Sequence, residues 1–127
     1  MNYNELNRKL EQIKIEDFIW IIYIGIIVLS FYSNSLEEKY YLFNDNISKE
    51  KYRKIMIFIF SILIIVYLYF VKDSLDDYKN LKENDSLKKK KLVTLSLIGS
   101  LLIALSGVIF LYIAYQDEEL DVELAFN

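Results

Sequence analysis

The sequence predicts an all-α membrane protein with three transmembrane helices in an antiparallel bundle. Three uncharged, strongly apolar runs carry this prediction, at residues 18–36, 55–71 and 92–116, with lengths of 19, 17 and 25 residues. A helix of about 20 residues crosses the hydrocarbon core of a bilayer. Pro, the strongest helix breaker, is absent from the chain. We therefore interpret residues 1–127 as a single three-span membrane domain.

Residues 1–17 are predicted to form an amphipathic helical leader. Apolar side chains recur at spacings of three and four on one face, and charged side chains occupy the rest. The apolar positions are Tyr3, Leu6, Leu10 and Ile13. Such a helix suits the membrane interface, and docking to a partner is the alternative. Four acidic and three basic residues are unlike the positive region of a cleaved signal peptide, so we expect the leader to be retained.

The first span is expected to end near Tyr32, with residues 33–54 as the connection to the second span. The aromatic stretch at residues 40–43 is expected to rest on the membrane surface. Three residues of types that favour turns and helix N-caps precede the second helix. They are Asp45, Asn46 and Ser48.

The second helix, which spans the membrane at 55–71, is expected to continue to about residue 83. The segment after Val71 contains no breaker, and an apolar stripe persists through Leu75 and Tyr78. A turn is predicted at residues 84–86, with Asp85 or Ser86 as the N-cap of the third helix. Helices 2 and 3 would then extend into the cytoplasm as a helical hairpin.

The third span, 92–116, has its small residues gathered on one face. At 100° per residue, all seven fall within an arc of about 160°. They are Ser96, Gly99, Ser100, Ala104, Ser106, Gly107 and Ala114. Small side chains let helix backbones approach closely in a bilayer, so this face predicts a helix-packing interface. It would serve packing within the chain, self-association or, through its serines, a wetted pore.

Basic residues predict the orientation, because Lys and Arg favour the cytoplasmic side. The N-terminal segment and the loop after the second span together carry ten, whereas the first connection and the C-terminal tail carry five. We expect a multi-pass protein of the cell membrane with its N-terminus in the cytoplasm and its C-terminus outside. Lys outnumbers Arg 13 to 2, a bias typical of an AT-rich genome, from which we expect a bacterial source.

Two charged clusters flank the spans. The first, expected to anchor anionic lipid headgroups in the cytoplasmic leaflet, is Lys88, Lys89, Lys90 and Lys91. The second brings the start of the second helix near the acidic tail of residues 117–127 on the outer side, where opposite charges attract. Its expected members are Lys49, Lys51, Arg53, Lys54, Asp117, Glu118, Glu119, Asp121 and Glu123.

The chain lacks the residues of most catalytic sites. Without Cys and His it has no thiol nucleophile, no imidazole base and none of the commonest metal ligands. No phosphate-binding glycine loop or nucleophile elbow occurs. We expect no enzyme activity, no cofactor and no nucleic-acid partner. The apolar runs also contain no charged residue, which disfavours a pump or a proton-coupled carrier.

Two functions remain after these exclusions. The first is a non-enzymatic membrane protein that acts by helix–helix association with itself or with a membrane-protein partner, as an accessory, immunity-type or regulatory subunit. The alternative is an oligomeric, membrane-permeabilising pore, either holin-like or a defence effector. Three-span holins are similar in size, but they are expected to carry a basic cytoplasmic C-terminus, and this tail is acidic.

Overall fold

The computed structural model describes residues 2–124, in which it contains three helices: α1 (Tyr3–Phe43), α2 (Asn46–Lys79) and α3 (Leu87–Gln116). The described residues are 85% helical and contain no strand. Each helix is long and apolar enough to cross a membrane. The predictions of an all-α chain and of three such helices are confirmed. The chain divides into two compact units: the first ends at Lys49, and the second begins at Glu50, both within the start of α2.

In the first unit, α1 is one unbroken helix of 41 residues. Its N-cap is Asn2, whose side-chain oxygen accepts a hydrogen bond from the N–H of Glu5 at 2.8 Å. This bond satisfies one of the backbone donors that a helix start leaves without a partner. The segment predicted as an amphipathic leader is therefore the beginning of the same helix that contains the first apolar run.

The prediction that residues 33–54 form a connection is wrong, because α1 continues to Phe43 and α2 begins at Asn46. Serines often favour turns by bonding to the backbone. Here three hydroxyls near the expected helix end donate to carbonyls three or four residues earlier, at 2.7–2.9 Å, and the helix persists. They belong to Ser30, Ser33 and Ser35. The helix ends at Asn44, which takes left-handed angles of φ 52° and ψ 38°.

Asp45 caps the start of α2 and closes the two-residue turn. Its carboxylate accepts hydrogen bonds from the N–H of Ile47 at 3.1 Å and from the Ser48 hydroxyl at 2.9 Å. The hydrogen bonds from Ser48 hold the pKa of the Asp45 carboxyl below its usual range. On the same turn, the Lys49 ammonium lies 5.3 Å from the centroid of the Tyr40 ring, a cation–π contact.

In the second unit, α2 ends at Lys79, four residues before the expected end at residue 83. The N–H of Lys82 donates to the Asp85 carboxylate at 2.8 Å, so a side chain replaces the helical carbonyl acceptor. This bond lowers the pKa of the Asp85 carboxyl. Ser86 is the N-cap of α3, and its hydroxyl oxygen accepts from the N–H of Lys89 at 3.1 Å. Of the two N-cap candidates, the structure therefore has Ser86.

Four contacts join α2 to α3 along their lengths. As residue numbers rise in α2, those of the α3 partners fall. The pairs are Arg53 with Tyr115, Phe60 with Phe110, Tyr67 with Gly107, and Ser74 with Ser96. The most deeply buried side chains of this unit lie on α2, at Met56, Ile59 and Leu63.

The chain folds back after α3. The Asp117 carboxylate accepts hydrogen bonds from the N–H groups of Asp121 and Val122, both at 2.9 Å. Leu120, between them, has a positive φ of 56°. Leu124 is buried, and it lines a small cleft together with residues of α2 and α3. The first part of the segment predicted as an acidic tail is therefore packed against the helices.

Candidate helix-packing interface

The seven small residues of α3 fall into two groups by burial. Four are buried: Ser100, Ala104, Gly107 and Ala114. Gly99 and Ser106 are half-exposed, and Ser96 is exposed. On a helical wheel the half-exposed pair lies about 60–80° to one side of Ser96, whereas the buried four lie between 0° and 80° on the other. The small face is thus divided along its length into a buried part and a more open edge.

Gly107 lies at a close approach of α3 to α2. A Cβ built on Gly107 would lie 3.1 Å from Cδ2 of Tyr67 and 3.3 Å from Cγ1 of Ile64. A Cβ built on Gly99 would meet no atom within 4 Å. The two glycines of α3 therefore differ, because one is needed for close packing and the other faces open space.

Two serine hydroxyls of α3, those of Ser100 and Ser106, donate within their own helix. Ser100 donates to the carbonyl of Leu97 at 2.9 Å, and Ser106 donates to that of Ile103 at 2.7 Å. Ser96 lies 3.5 Å from the hydroxyl of Ser74 on α2. Since Ser100 and Ser106 already use their donors, these two hydroxyls do not require water to satisfy them.

Much of the apolar surface of α2 and α3 is uncovered. In the most apolar 18-residue window of each helix, 28% of α2 and 22% of α3 is buried. Large apolar side chains of α3 are exposed from one end to the other. They include Leu92, Leu95, Ile98, Leu101, Leu102, Ile103, Leu105, Val108, Ile109 and Tyr112. An apolar surface of this extent marks contact with lipid or with protein.

The four lysines of the predicted headgroup anchor differ in their contacts. The Lys89 ammonium lies 3.2 Å from an Asp85 carboxylate oxygen, and that of Lys90 donates to the carbonyl of Glu83 at 3.0 Å. Lys88 and Lys91 are exposed, and in the described part of the chain no hydrogen bond ties either to the turn. Half of the cluster therefore stabilises the turn, and half faces outward.

Arg53 is the member of the predicted outer charge cluster that joins α2 to α3. One guanidinium nitrogen donates to the carbonyl of Tyr115 at 3.0 Å, and another lies 3.4 Å from the Glu50 carboxylate. A cation at the last carbonyls of a helix is favoured by the helix dipole. The attraction was predicted between side chains, but this contact is to the α3 backbone.

The remaining members of this cluster lie in different parts of the chain. Lys49 belongs to the first unit, and the exposed members of the second are Lys51, Lys54, Glu118, Glu119, Asp121 and Glu123. The Asp117 carboxylate caps the backbone that follows α3. One sequence signal singles out Arg53, which is the only Arg among the lysines of this region. Arg is the residue best suited to several simultaneous hydrogen bonds.

Residues 2–124 contain no group of three or more carboxylates arranged to hold a metal ion. The chain matches no protein-family model, and neither the curated proteins nor the solved structures include a match to it.

Proposed function

We propose that this chain is a small, non-enzymatic integral membrane protein that acts through helix–helix association as an accessory, immunity-type or regulatory subunit. The observation that carries the proposal is the divided small face of α3. Its buried part packs against α2, and its open edge at Gly99 and Ser106 leaves room for another helix. Lipid tails give helices no hydrophobic reason to associate, so close approach at small residues provides the attraction.

In this proposal α2 and α3 cross the membrane as an antiparallel pair within a three-helix bundle. The reversed order of their four contacts supports this arrangement. The basic residues of the sequence support a cytoplasmic N-terminus and an outer C-terminus, so the turn between Lys79 and Leu87 lies in the cytoplasm.

The charged residues of α2 then determine where this helix pair leaves the membrane on the cytoplasmic side. Since Ser74 lies beside Ser96, the charged turn that begins at Lys72 is level with Leu95 and Ile98 of α3. Insertion of the four charges would cost up to about 3 kcal/mol each, whereas exposing a Leu or Ile forgoes only about 0.5 kcal/mol on the same scale. The charges are Lys72, Asp73, Asp76 and Asp77. The membrane boundary therefore lies at Lys72, where the charged residues of α2 begin. The first turns of α3 project from the membrane into the cytoplasm.

The open edge of α3 can be tested by substitutions that leave the α2 contact intact. Gly99→Leu and Ser106→Leu should convert an oligomer or a partner complex into folded monomer in mild detergent, as measured by light scattering coupled to size exclusion. Leu105→Ala, on the lipid-facing side, is the matched control. A wild-type protein that is monomeric in bilayers and binds no membrane partner would contradict the proposal.

The same protein distinguishes association from conduction. We expect wild-type protein in planar bilayers to give no channel currents, because Ser100 is buried and the hydroxyls of Ser100 and Ser106 both donate within α3. Reproducible single-channel currents that change with Ser100→Leu would overturn the proposal in favour of a pore.

A further inference from the structure

One stripe of α3 combines exposed lysines with exposed apolar side chains. Its residues recur at spacings of three and four, so they share one face of the helix. The stripe consists of Lys88, Lys91, Leu95, Ile98 and Leu102. The three apolar side chains are 47–60% exposed. The contact between α2 and α3 therefore leaves this stripe uncovered.

The stripe points away from α2. Ser96 and Gly107 contact α2, and both fall within about 20° of each other on the α3 wheel, whereas Leu95 and Ile98 lie at least about 100° from Ser96. The neighbouring turn of α2 is charged from Lys72 onward. Where the hairpin projects, its α2 side is thus charged and the outer side of α3 is apolar.

The order of residue types along the stripe matches that of a phospholipid. Lys88 and Lys91 come first, and Leu102 lies about 16 Å beyond Lys91 along the helix. That distance is comparable to the length of one acyl chain, which is about half of a 30 Å hydrocarbon core. The two lysines are those that do not bond to the turn, whereas Lys89 and Lys90 are held by Asp85 and Glu83.

We propose that this stripe binds an anionic phospholipid of the leaflet that faces the α2–α3 turn. Lys88 and Lys91 contact the headgroup phosphate, and an acyl chain lies along Leu95, Ile98 and Leu102. The projecting part of the hairpin leans its α3 side into the leaflet, as an amphipathic helix does, while the charges of α2 stay in water. The inference rests on the proposed membrane insertion.

The test places a fluorescent reporter on the stripe of the full-length chain. The single native Trp is removed by Trp20→Phe, and Leu95→Trp is introduced as the stripe reporter. The protein is reconstituted with brominated phosphatidylglycerol or brominated phosphatidylcholine in otherwise equal vesicles. We expect both lipids to quench the fluorescence of the stripe reporter, with stronger quenching by the anionic one.

Paired lysine variants give the matched comparison. Lys88→Gln with Lys91→Gln should abolish the preference for anionic lipid, since each lysine near an anionic surface contributes up to about fivefold. Lys89→Gln with Lys90→Gln removes the same charge and should keep the preference. Helix content equal to the wild type, by circular dichroism, establishes that each variant is folded.

A second reporter, Leu105→Trp in the same Trp20→Phe background, separates the two proposals. If this second reporter is quenched and the stripe reporter is not, the lipid site is wrong although the chain is inserted. The lipid site is also wrong if both lysine pairs lose the preference for anionic lipid equally. It is wrong, too, if a second copy of the chain shields the stripe reporter and dilution reverses that shielding. If neither reporter is quenched, membrane insertion itself is contradicted.

Discussion

The Tyr67 ring lies where a side chain on Gly107 would begin, with Cδ2 of Tyr67 3.1 Å from the position of that Cβ. The ring packs on the backbone of α3, and Ile64 closes the other side at 3.3 Å. This contact fixes the spacing of α2 and α3 near the centre of their apolar segments. It also sets apart two glycines that are otherwise alike in the sequence.

Identical substitutions at these glycines should have different effects. Gly99→Ala meets open space and should stabilise α3 by up to about 1 kcal/mol, the helix propensity difference between Gly and Ala. In Gly107→Ala, the added methyl group should crowd the Tyr67 ring and so cancel this stabilisation. Gly107→Leu should lower the free energy of unfolding by about 1–3 kcal/mol through overpacking. Reversible unfolding in mixed micelles measures each free energy. Equal effects at the two positions would mean that α2 and α3 do not approach as described.

Replacement of Arg53 should loosen the end of α3. Arg53→Gln removes the charged donor to the Tyr115 carbonyl, at a cost of about 1–2 kcal/mol. We expect faster hydrogen exchange at the backbone amides of Gln116 and Asp117, which close the final turn. Lys54→Gln, an adjacent exposed charge, is the control and should leave exchange unchanged. Unchanged protection in Arg53→Gln would show that the contact contributes nothing.

Acid should weaken the start of α2 through Asp45. The pKa of this carboxyl is lower in the folded chain than its ordinary value of 3.8, so the unfolded state binds the proton more tightly. The stabilisation is complete above the unfolded pKa and is lost as pH falls through the folded pKa. Asp45→Asn should remove this dependence below about pH 4, measured by amide exchange at Ile47 and Ser48. Asp85→Asn controls for the second carboxyl with a lowered pKa.

Topology can be measured by thiol labelling, because the chain contains no Cys. Single cysteines at Asn44, Asn84 and Glu118 are all in exposed positions. An impermeant reagent applied to intact cells should label positions 44 and 118 and spare 84, since the basic residues favour an inner α2–α3 turn. The reverse pattern would invert the orientation, and labelling of all three would argue against a membrane-spanning chain.

The ends of the helices were predictable where a residue type in the sequence marks them, such as an N-cap. Ser86 has a suitable side chain for an N-cap, and the apolar run of α3 begins six residues after it. The end of α1 was missed because the apolar run ends before the helix does. Past Ser33 the serine hydroxyls bond to carbonyls of the same helix, whereas in turns the same residue types bond to the turn backbone.

The sequence predicts which face of α3 carries the small residues, but not which of these residues contact α2. The spacing of small residues predicts one face of α3, of which Ser100, Ala104, Gly107 and Ala114 are buried, but Gly99 and Gly107 have equal local signals. Their difference arises from the register with α2, which puts Tyr67 beside one and nothing beside the other. The return of Leu124 after a positive φ at Leu120 has no comparable signal, because Leu rarely adopts that conformation.

The unbroken length of α1 has a mechanical consequence. At 1.5 Å per residue its 41 residues measure about 60 Å, about twice the hydrocarbon thickness of a bilayer. Pro, one of the main causes of sharp kinks, is absent from the chain. A displacement applied near Tyr3 is therefore transmitted to the turn at Asn44 along one continuous helix.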